Sequence, residues 1–435
     1  MLRMKRMKAK AAALLLAAAA LSGCMGNEIG QNDAPVISTV TGSSVTSAET
    51  TAPVTSSTTA STSVSVSESV TETETSVETS APETEITPEE TTTKETTTTA
   101  KATTTTTATT TTKAVNTSKR PVEEVQYDPN VSYMPSYGEW IGNIVVADKN
   151  EGYKVRGLPM CYGYLSTGAQ YAQMINSYKQ TFPDINFYNM SIPLASAFYI
   201  PPNMKNEFPD QHKLITNIGD NLDGSIANID VYAALAPHLS EYLYSRTDHH
   251  WQPLGAYYAA QAFIKETGLP FADLSTYSKF VKENYCGSNY LYSNNLAAFK
   301  QYPDTFTYYK PKNSYSLNRY NGYFNFETKS DLFFDSIQGS GCYCTILGCD
   351  DRIFEIKTDV NNGRVLVVIK DSYGNALIPF FVGSFEKIYV VDMRYTYIKM
   401  TDLFKKVGAT DVLFGQSLSS GYANDRINMM KNMMK

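Results

Sequence analysis

The 435-residue chain carries 43 acidic against 37 basic side chains, a formal net charge of −6, and no basic stripe, which argues against nucleic acid as a partner. Its aromatic residues are confined to one part of the chain: every Phe, Tyr and Trp lies at or beyond Tyr127. A large hydrophobic core can therefore form only in the last roughly 310 residues, enough for one α/β domain or a domain with an insertion.

Taken in order, Arg3, Lys5, Arg6, Lys8 and Lys10 precede an apolar run from Ala11 to Leu21, which is too short to span a bilayer and has a signal-peptide layout. The run ends in Leu21-Ser22-Gly23-Cys24. Those residues resemble a bacterial lipobox, which implies cleavage after residue 23, diacylglycerol on the Cys24 thiol and an extracytoplasmic, membrane-tethered protein. Residues 24–126 then form a Thr-, Ser-, Glu- and Pro-rich stretch without an aromatic ring. Such a composition buries too little apolar surface to offset chain entropy, so it is expected to be a disordered stalk, about 50–60 Å across as a coil.

Residues 127–435 read as the folded domain. Trp140–Val146 reads as a first strand, 166–182 as a helix with Tyr171, Met174, Ile175 and Tyr178 on one face, and Ile185–Met190 as the next strand. Ile229-Asp230-Val231 reads as a short strand before a helix to about Leu239. Pro253 suits the first position of a helix that Thr267-Gly268 and Pro270 stop. Residues 277–358 are rich in Tyr, Asn, Ser and Lys, and read as an insertion or a small β-rich subdomain. They hold four of the five remaining cysteines, of which Cys342, Cys344 and Cys349 are close enough in sequence for a local bridge.

Val365–Ile369 is an uninterrupted apolar run, as expected of a central parallel strand, and it breaks at Lys370-Asp371-Ser372-Tyr373-Gly374-Asn375 before a helical stretch. Strand Lys387–Val391, a short helix from Thr401 to Val407 and strand Asp411–Phe414 complete a βαβαβ run. Alternating strands and helices imply a mostly parallel sheet covered on both faces. Ligands of such sheets bind beyond the carboxyl ends of the strands, where Ser372 and Arg394 fall.

The chemistry-bearing residues are few. Two of the four histidines sit in Arg246-Thr247-Asp248-His249-His250-Trp251. In an extended segment Asp248 and His250 would project to one side and His249 to the other. A carboxylate that orients an imidazole, placed beside a strand-end serine with free helix N–H groups, provides the parts of a nucleophilic acyl-transfer site. Asn375 or Arg394 could donate to an oxyanion, and Trp251 could line the cleft or brace the loop. Two other readings stand beside this one. A metal phosphoesterase would need further Asp and His ligands, and only His212 and His238 remain. A non-catalytic surface module would keep the fold and bind glycan or a partner protein.

The blocks Arg246–Trp251, Ile369–Asn375 and Tyr389–Tyr395 together resemble the DHHW protein family of bacterial surface proteins, which is similar to the SGNH-like domains of alginate O-acetylation proteins. The resemblance implies an SGNH-hydrolase-like α/β fold with permuted block order. It further implies Ser372 as nucleophile, His250 as base and Asp248 as its orienter. An O-acetyltransferase or esterase acting on envelope polysaccharide with an acyl donor and no cofactor or metal would follow. In the alginate proteins the pattern is Asp-x-His-Trp, and here the middle residue is His249.

If Cys24 carries the anchor, Cys24→Ala should move the protein from the membrane pellet to the soluble fraction. Fractionation and immunoblotting would read this, and a signal-cleaved Cys24→Ala protein still in the pellet would reject lipidation as the tether.

Overall fold

The structure, a computed structural model, describes residues 128, 130–348 and 352–434. The signal-like segment, Cys24, the Thr/Ser-rich stretch and Cys349 lie outside the described residues. Among the described residues no helix is long and apolar enough to cross a membrane.

The strands, in chain order, are β1 (Gly138–Ile141), β2 (Ile144–Ala147), β3 (Arg156–Leu158), β4 (Asn186–Ile192), β5 (Ala227–Asn228), β6 (Ser278–Tyr285) and β7 (Asp304–Lys310). They continue with β8 (Tyr315–Tyr320), β9 (Thr328–Ser330), β10 (Ile353–Thr358), β11 (Val365–Lys370), β12 (Lys387–Asp392) and β13 (Asp411–Ser417). Eight of them make one sheet in the order β5-β4-β13-β11-β12-β10-β8-β9. The run from β5 to β12 is parallel. Strands β10, β8 and β9 continue it with antiparallel pairings. Strand β11 sits inside the parallel part and is buried at every position, which is why its sequence is apolar without alternation.

Helices cover both faces, and adjacent residues of β4 show it. Side chains of successive strand residues point to opposite faces. Phe187 packs against Tyr178 of helix Leu165–Thr181, with ring centroids 6.4 Å apart. Its neighbour Tyr188 meets Phe263 of helix Pro253–Thr267, edge-on at 5.0 Å. Helix Pro253–Thr267 begins with its proline and ends at Gly268, whose φ of 70° is the left-handed cap conformation. The fold is thus a mostly parallel α/β sheet covered on both faces, and the block contributing β4 precedes the loop 245–251 while the central strands follow it.

Several sequence expectations change. Trp140–Val146 is a hairpin of β1 and β2 in a separate three-stranded antiparallel sheet with β3. Gly142, at φ 61°, turns the chain there, because a Gly-Asn pair between apolar residues suits a two-residue hairpin loop. Ile229-Asp230-Val231 is no strand: Asp230 accepts the Ala233 N–H and caps helix Val231–Leu235. Residues 277–358 divide, with β6 and β7 forming a two-stranded ladder of their own while β8, β9 and β10 extend the central sheet. Cys161, Cys286 and Cys342 are free thiols, and Cys349, one of the three cysteines expected to form a local bridge, lies outside the described residues.

At the carboxyl ends of β11 and β12 a buried ion pair joins the strands. Lys370 Nζ lies 3.0 Å from Asp392 Oδ2, and neither side chain is more than 1% exposed. Removing one member of such a pair strands the other charge away from water. Asp392→Ala should lower stability by about 3–5 kcal/mol, measured by urea denaturation, and a change within error would show that the pair contributes little.

Candidate active site

Ser372 opens the 3₁₀ helix Ser372–Phe381 directly after β11. Its turn is held by Asp371, whose carboxylate accepts the Tyr373 N–H at 3.0 Å, the Ser417 N–H at 3.1 Å and the Ser417 and Ser420 hydroxyls at 2.6 and 2.7 Å. Gly374 permits the close approach. A Cβ there would stand 2.5 Å from Lys370 Cβ and 2.7 Å from the Gly415 carbonyl oxygen. These constraints leave the half-buried Ser372 at the sheet edge.

The histidine loop is pinned from below. Arg246 Nη2 meets Asp304 Oδ1 at 2.8 Å, and Asp304 Oδ2 accepts both the N–H and the hydroxyl of Thr247 at 2.8 Å. Asn289 Nδ2 donates to the Asp248 carbonyl at 2.9 Å and to the Arg246 carbonyl at 3.1 Å. Asp248 Oδ1 accepts the His250 N–H at 2.9 Å and stands 2.6 Å from His250 Nδ1, and Asp248 Oδ2 accepts the Ser288 N–H at 2.8 Å. Gly287 makes room: a Cβ on it would lie 2.2 Å from Asp248 Oδ2.

His250 Nε2 lies 2.8 Å from Ser372 Oγ. An ionised carboxylate can only accept, so Nδ1 carries a proton toward Asp248. In the neutral imidazole Nε2 is then the acceptor for the Ser372 hydroxyl. The Tyr343 ring stacks on His250 at 3.8 Å and 4°, and its hydroxyl donates to the Ser372 carbonyl at 2.9 Å. Trp251 Nε1 donates to the Tyr373 carbonyl at 3.0 Å, and the Tyr373 hydroxyl donates to the His249 carbonyl. The two loops are thereby stapled in both directions.

The other sequence candidates fall as follows. Trp251 is fully buried, so it braces the loop and offers no face to a substrate. Asn375 is buried three residues beyond Ser372, and i, i+3 positions eclipse in a 3₁₀ helix, which keeps the two on one side. Arg394 is held by Asp392 through Nε at 2.8 Å and Nη2 at 2.6 Å, which fixes its guanidinium beyond β12. His249 does not point away. Its ring centroid is 3.7 Å from that of His250, and its Nδ1 meets Ser288 Oγ at 2.5 Å. The alternation rule fails because Asp248 bonds the backbone two residues on and bends the chain out of the extended form. His212 lies 3.0 Å from Asp230 and His238 2.7 Å from Glu241. Tyr343, Ser288 and Gly287 carried no signal beside the motif.

Ligand atoms of Asp248, His249 and His250 lie within 4.8 Å of one another. Both nitrogens of His250 and Nδ1 of His249 already face hydrogen-bond partners. A hollow of about 590 Å³ bounded partly by His238, Tyr258 and Lys265 is separate from this cluster.

The fold is SGNH-hydrolase-like, and it brings Ser372, His250 and Asp248 together at the carboxyl edge of its sheet. A sequence profile of the DHHW protein family matches residues 137–391, and the chain belongs to that family. A DHHW family protein from Eubacterium siraeum shares 36% identity, over 70% of this chain and 100% of its own, with a TM-score of 0.65. The structure of Bacillus cereus PatB1 with a sulfonyl adduct matches at 17% identity, over 68% of this chain and 99% of its own, with a TM-score of 0.55. A second PatB1 structure covers 66% of this chain and 99% of its own, at 17% identity and a TM-score of 0.53. No curated protein matches the chain.

Burial opposes charge on Asp248, but the neighbouring His250 and His249 and the hydrogen bonds from His250 and the Ser288 N–H outweigh it, holding the carboxyl well below the usual carboxylate range. Burial and the adjacent His250 push His249 down from 6.5 to about 4. Both shifts have the same sign for stability. The unfolded chain takes up a proton at His249 below about 6.5, which the fold refuses until about 4, and Asp248 adds to the loss below about 4. Stability should therefore fall as pH drops from 6.5 toward 4, and His249→Asn should flatten that part of the curve in urea titrations. An unchanged slope in the variant would assign the acid sensitivity to other groups.

Proposed function

We propose that this protein is a serine-dependent acyl-ester enzyme acting on a cell-envelope or extracellular polysaccharide, as an O-acetyltransferase or an acetylesterase. The observation that carries the reading is the 2.8 Å contact of His250 Nε2 with Ser372 Oγ while Asp248 Oδ1 stands 2.6 Å from Nδ1.

In this reading Ser372 Oγ attacks the carbonyl carbon of an acyl ester as His250 Nε2 takes its proton, and Asp248 stabilises the imidazolium. The developing oxyanion meets the Ser372 N–H and Asn375 beside it, since Asp371 holds the Tyr373 and Gly374 N–H groups. His250 returns its proton to the departing oxygen, leaving acyl-Ser372. A sugar hydroxyl, or water, then attacks the acyl-enzyme with His250 as base, which yields the O-acetylated glycan or free acid and restores the serine. Arg394, held out beyond β12, is a donor for the substrate. The presence of a sulfonyl adduct in PatB1, which shares the fold, supports probing this chain with electrophiles of that class.

The same proposal sets the enzyme outside the cytoplasmic membrane, tethered through Cys24. Its support is the layout of basic residues, apolar run and Leu21-Ser22-Gly23-Cys24.

The unmodified protein should hydrolyse p-nitrophenyl acetate without added metal, and a fluorophosphonate probe should map to the Ser372 peptide. Ser372→Ala and His250→Ala should each lower the rate by roughly 10⁴-fold or more, since members of such a unit fail together. No labelling and no turnover by the unmodified protein would favour a non-catalytic glycan- or protein-binding module.

A further inference from the structure

We infer that the active-site edge of the sheet continues into a polysaccharide-binding ledge made by Tyr323, Phe326 and Tyr397; this rests on the glycan-directed reading above and extends it to a chain held beside Ser372.

The position of the ledge follows from strand register. Ile369 pairs with Val391, Val391 with Ile353 and Ile353 with Tyr320. Because β10 is antiparallel to both β12 and β8, strand β8 runs in the same direction as β11. The loop after Tyr320 therefore leaves the sheet at the level of Ser372, three strand spacings away, or about 14 Å. Arg394 lies between them along that edge, beyond the end of β12.

The loop is built to show its rings. Asn321 Oδ1 accepts the N–H groups of Tyr323 and Asn325 at 3.0 Å, and its carbonyl accepts the Phe324 N–H at 2.9 Å. Phe324 turns inward and packs on Tyr320 at 4.4 Å, with Lys406 Nζ 4.6 Å from its ring centre. Its neighbours turn outward: Tyr323 is 61% exposed and Phe326 82%. Phe324 and Phe326 have φ of 59° and 57°, a left-handed conformation that bulky L-residues rarely adopt. A strained, hydrogen-bonded turn that ends in an exposed phenyl ring points to a use for that ring.

The loop after β12 joins this turn. Tyr397 N–H donates to the Gly322 carbonyl at 2.7 Å, and a Cβ on Gly322 would meet the Tyr395 carbonyl oxygen at 2.2 Å. Tyr397 is 64% exposed, and its ring centre lies 5.1 Å from that of Tyr323. Three exposed rings on one rigid rim, two of them tyrosines with a polar tip, offer flat apolar faces and hydroxyls together. That combination suits the faces and hydroxyl edges of a sugar chain. Continuity with the serine along the same edge selects a polymer as occupant, with part of it on the ledge and the acyl-accepting hydroxyl at Ser372.

The test uses the full chain in affinity electrophoresis through gels containing alginate, xylan or soluble peptidoglycan strands, alongside p-nitrophenyl acetate turnover. At least one polymer should retard the protein. Tyr323→Ala/Phe326→Ala/Tyr397→Ala should weaken that retardation at least tenfold, with ester turnover within twofold of the parent. Phe326→Ala alone should weaken it in part, and Phe326→Tyr should restore it. Absence of retardation by every polymer, or retardation unchanged in the triple variant, overturns the ledge. Loss of retardation only together with loss of a cooperative melt in both the triple variant and Phe326→Ala does so too. If the unmodified protein turns over no ester yet its polymer retardation needs the three rings, the acyl-enzyme reading fails and the ledge stands.

Discussion

Asp248 is a carboxylate with almost no contact with water, and the surroundings of the active-site edge are arranged to keep it ionised. A buried charge without partners would be neutralised or would unfold its site. Here the His250 ring, the His250 N–H and the Ser288 N–H all point at it, and Gly287 has no side chain to intrude. Once the acid is charged, the tautomer of His250 follows, and with it the direction of the hydrogen bond from Ser372. The tautomer of one imidazole is thus set by the charge kept on a buried carboxylate two residues away.

A second constraint is that the two halves of the site come from segments far apart in the chain. The histidine loop sits at the start of helix Pro253–Thr267, whereas Ser372 follows a strand locked between β12 and β13. Packing alone would leave a sliding contact between them. Directional bonds remove that freedom: Trp251 to the Tyr373 carbonyl, Tyr343 to the Ser372 carbonyl and Tyr373 to the His249 carbonyl. Each ties a bulky aromatic to backbone, so moving either loop would leave a buried polar group unpaired. A site held this way is preorganised, the condition under which a hydroxyl and an imidazole at 2.8 Å can act together.

The same edge gathers the site residues and the exposed aromatic loop. The carboxyl ends of β11 and β12 supply Ser372 and Arg394, and the Lys370–Asp392 pair beneath them leaves the Arg394 guanidinium braced by the same carboxylate. Because β8 runs with the central strands across an intervening antiparallel partner, its following loop reaches the same rim. An antiparallel extension of a parallel sheet thereby adds surface beside the serine without altering the turn that holds it.

Much of this was legible in the residues. The unbroken apolar run of β11, the proline-to-glycine span of helix Pro253–Thr267 and the pairing of an acid with a histidine two positions on all report local forces, and local forces are written in neighbouring residues. The hairpin at Gly142 and the cap at Asp230 were written there too, in turn chemistry that the apolar pattern masked. Other features had no local trace. That His249 leans on His250, that Tyr343 stacks over the imidazole and that β8–β10 join the main sheet depend on contacts between segments distant in the chain. The sequence alone determined which residue types could perform the chemistry and where the longest strands and helices lie, because periodicity and side-chain identity act over a few residues. Only the tertiary structure decided that Asp248, His250 and Ser372 meet, since burial and strand register are properties of the whole sheet.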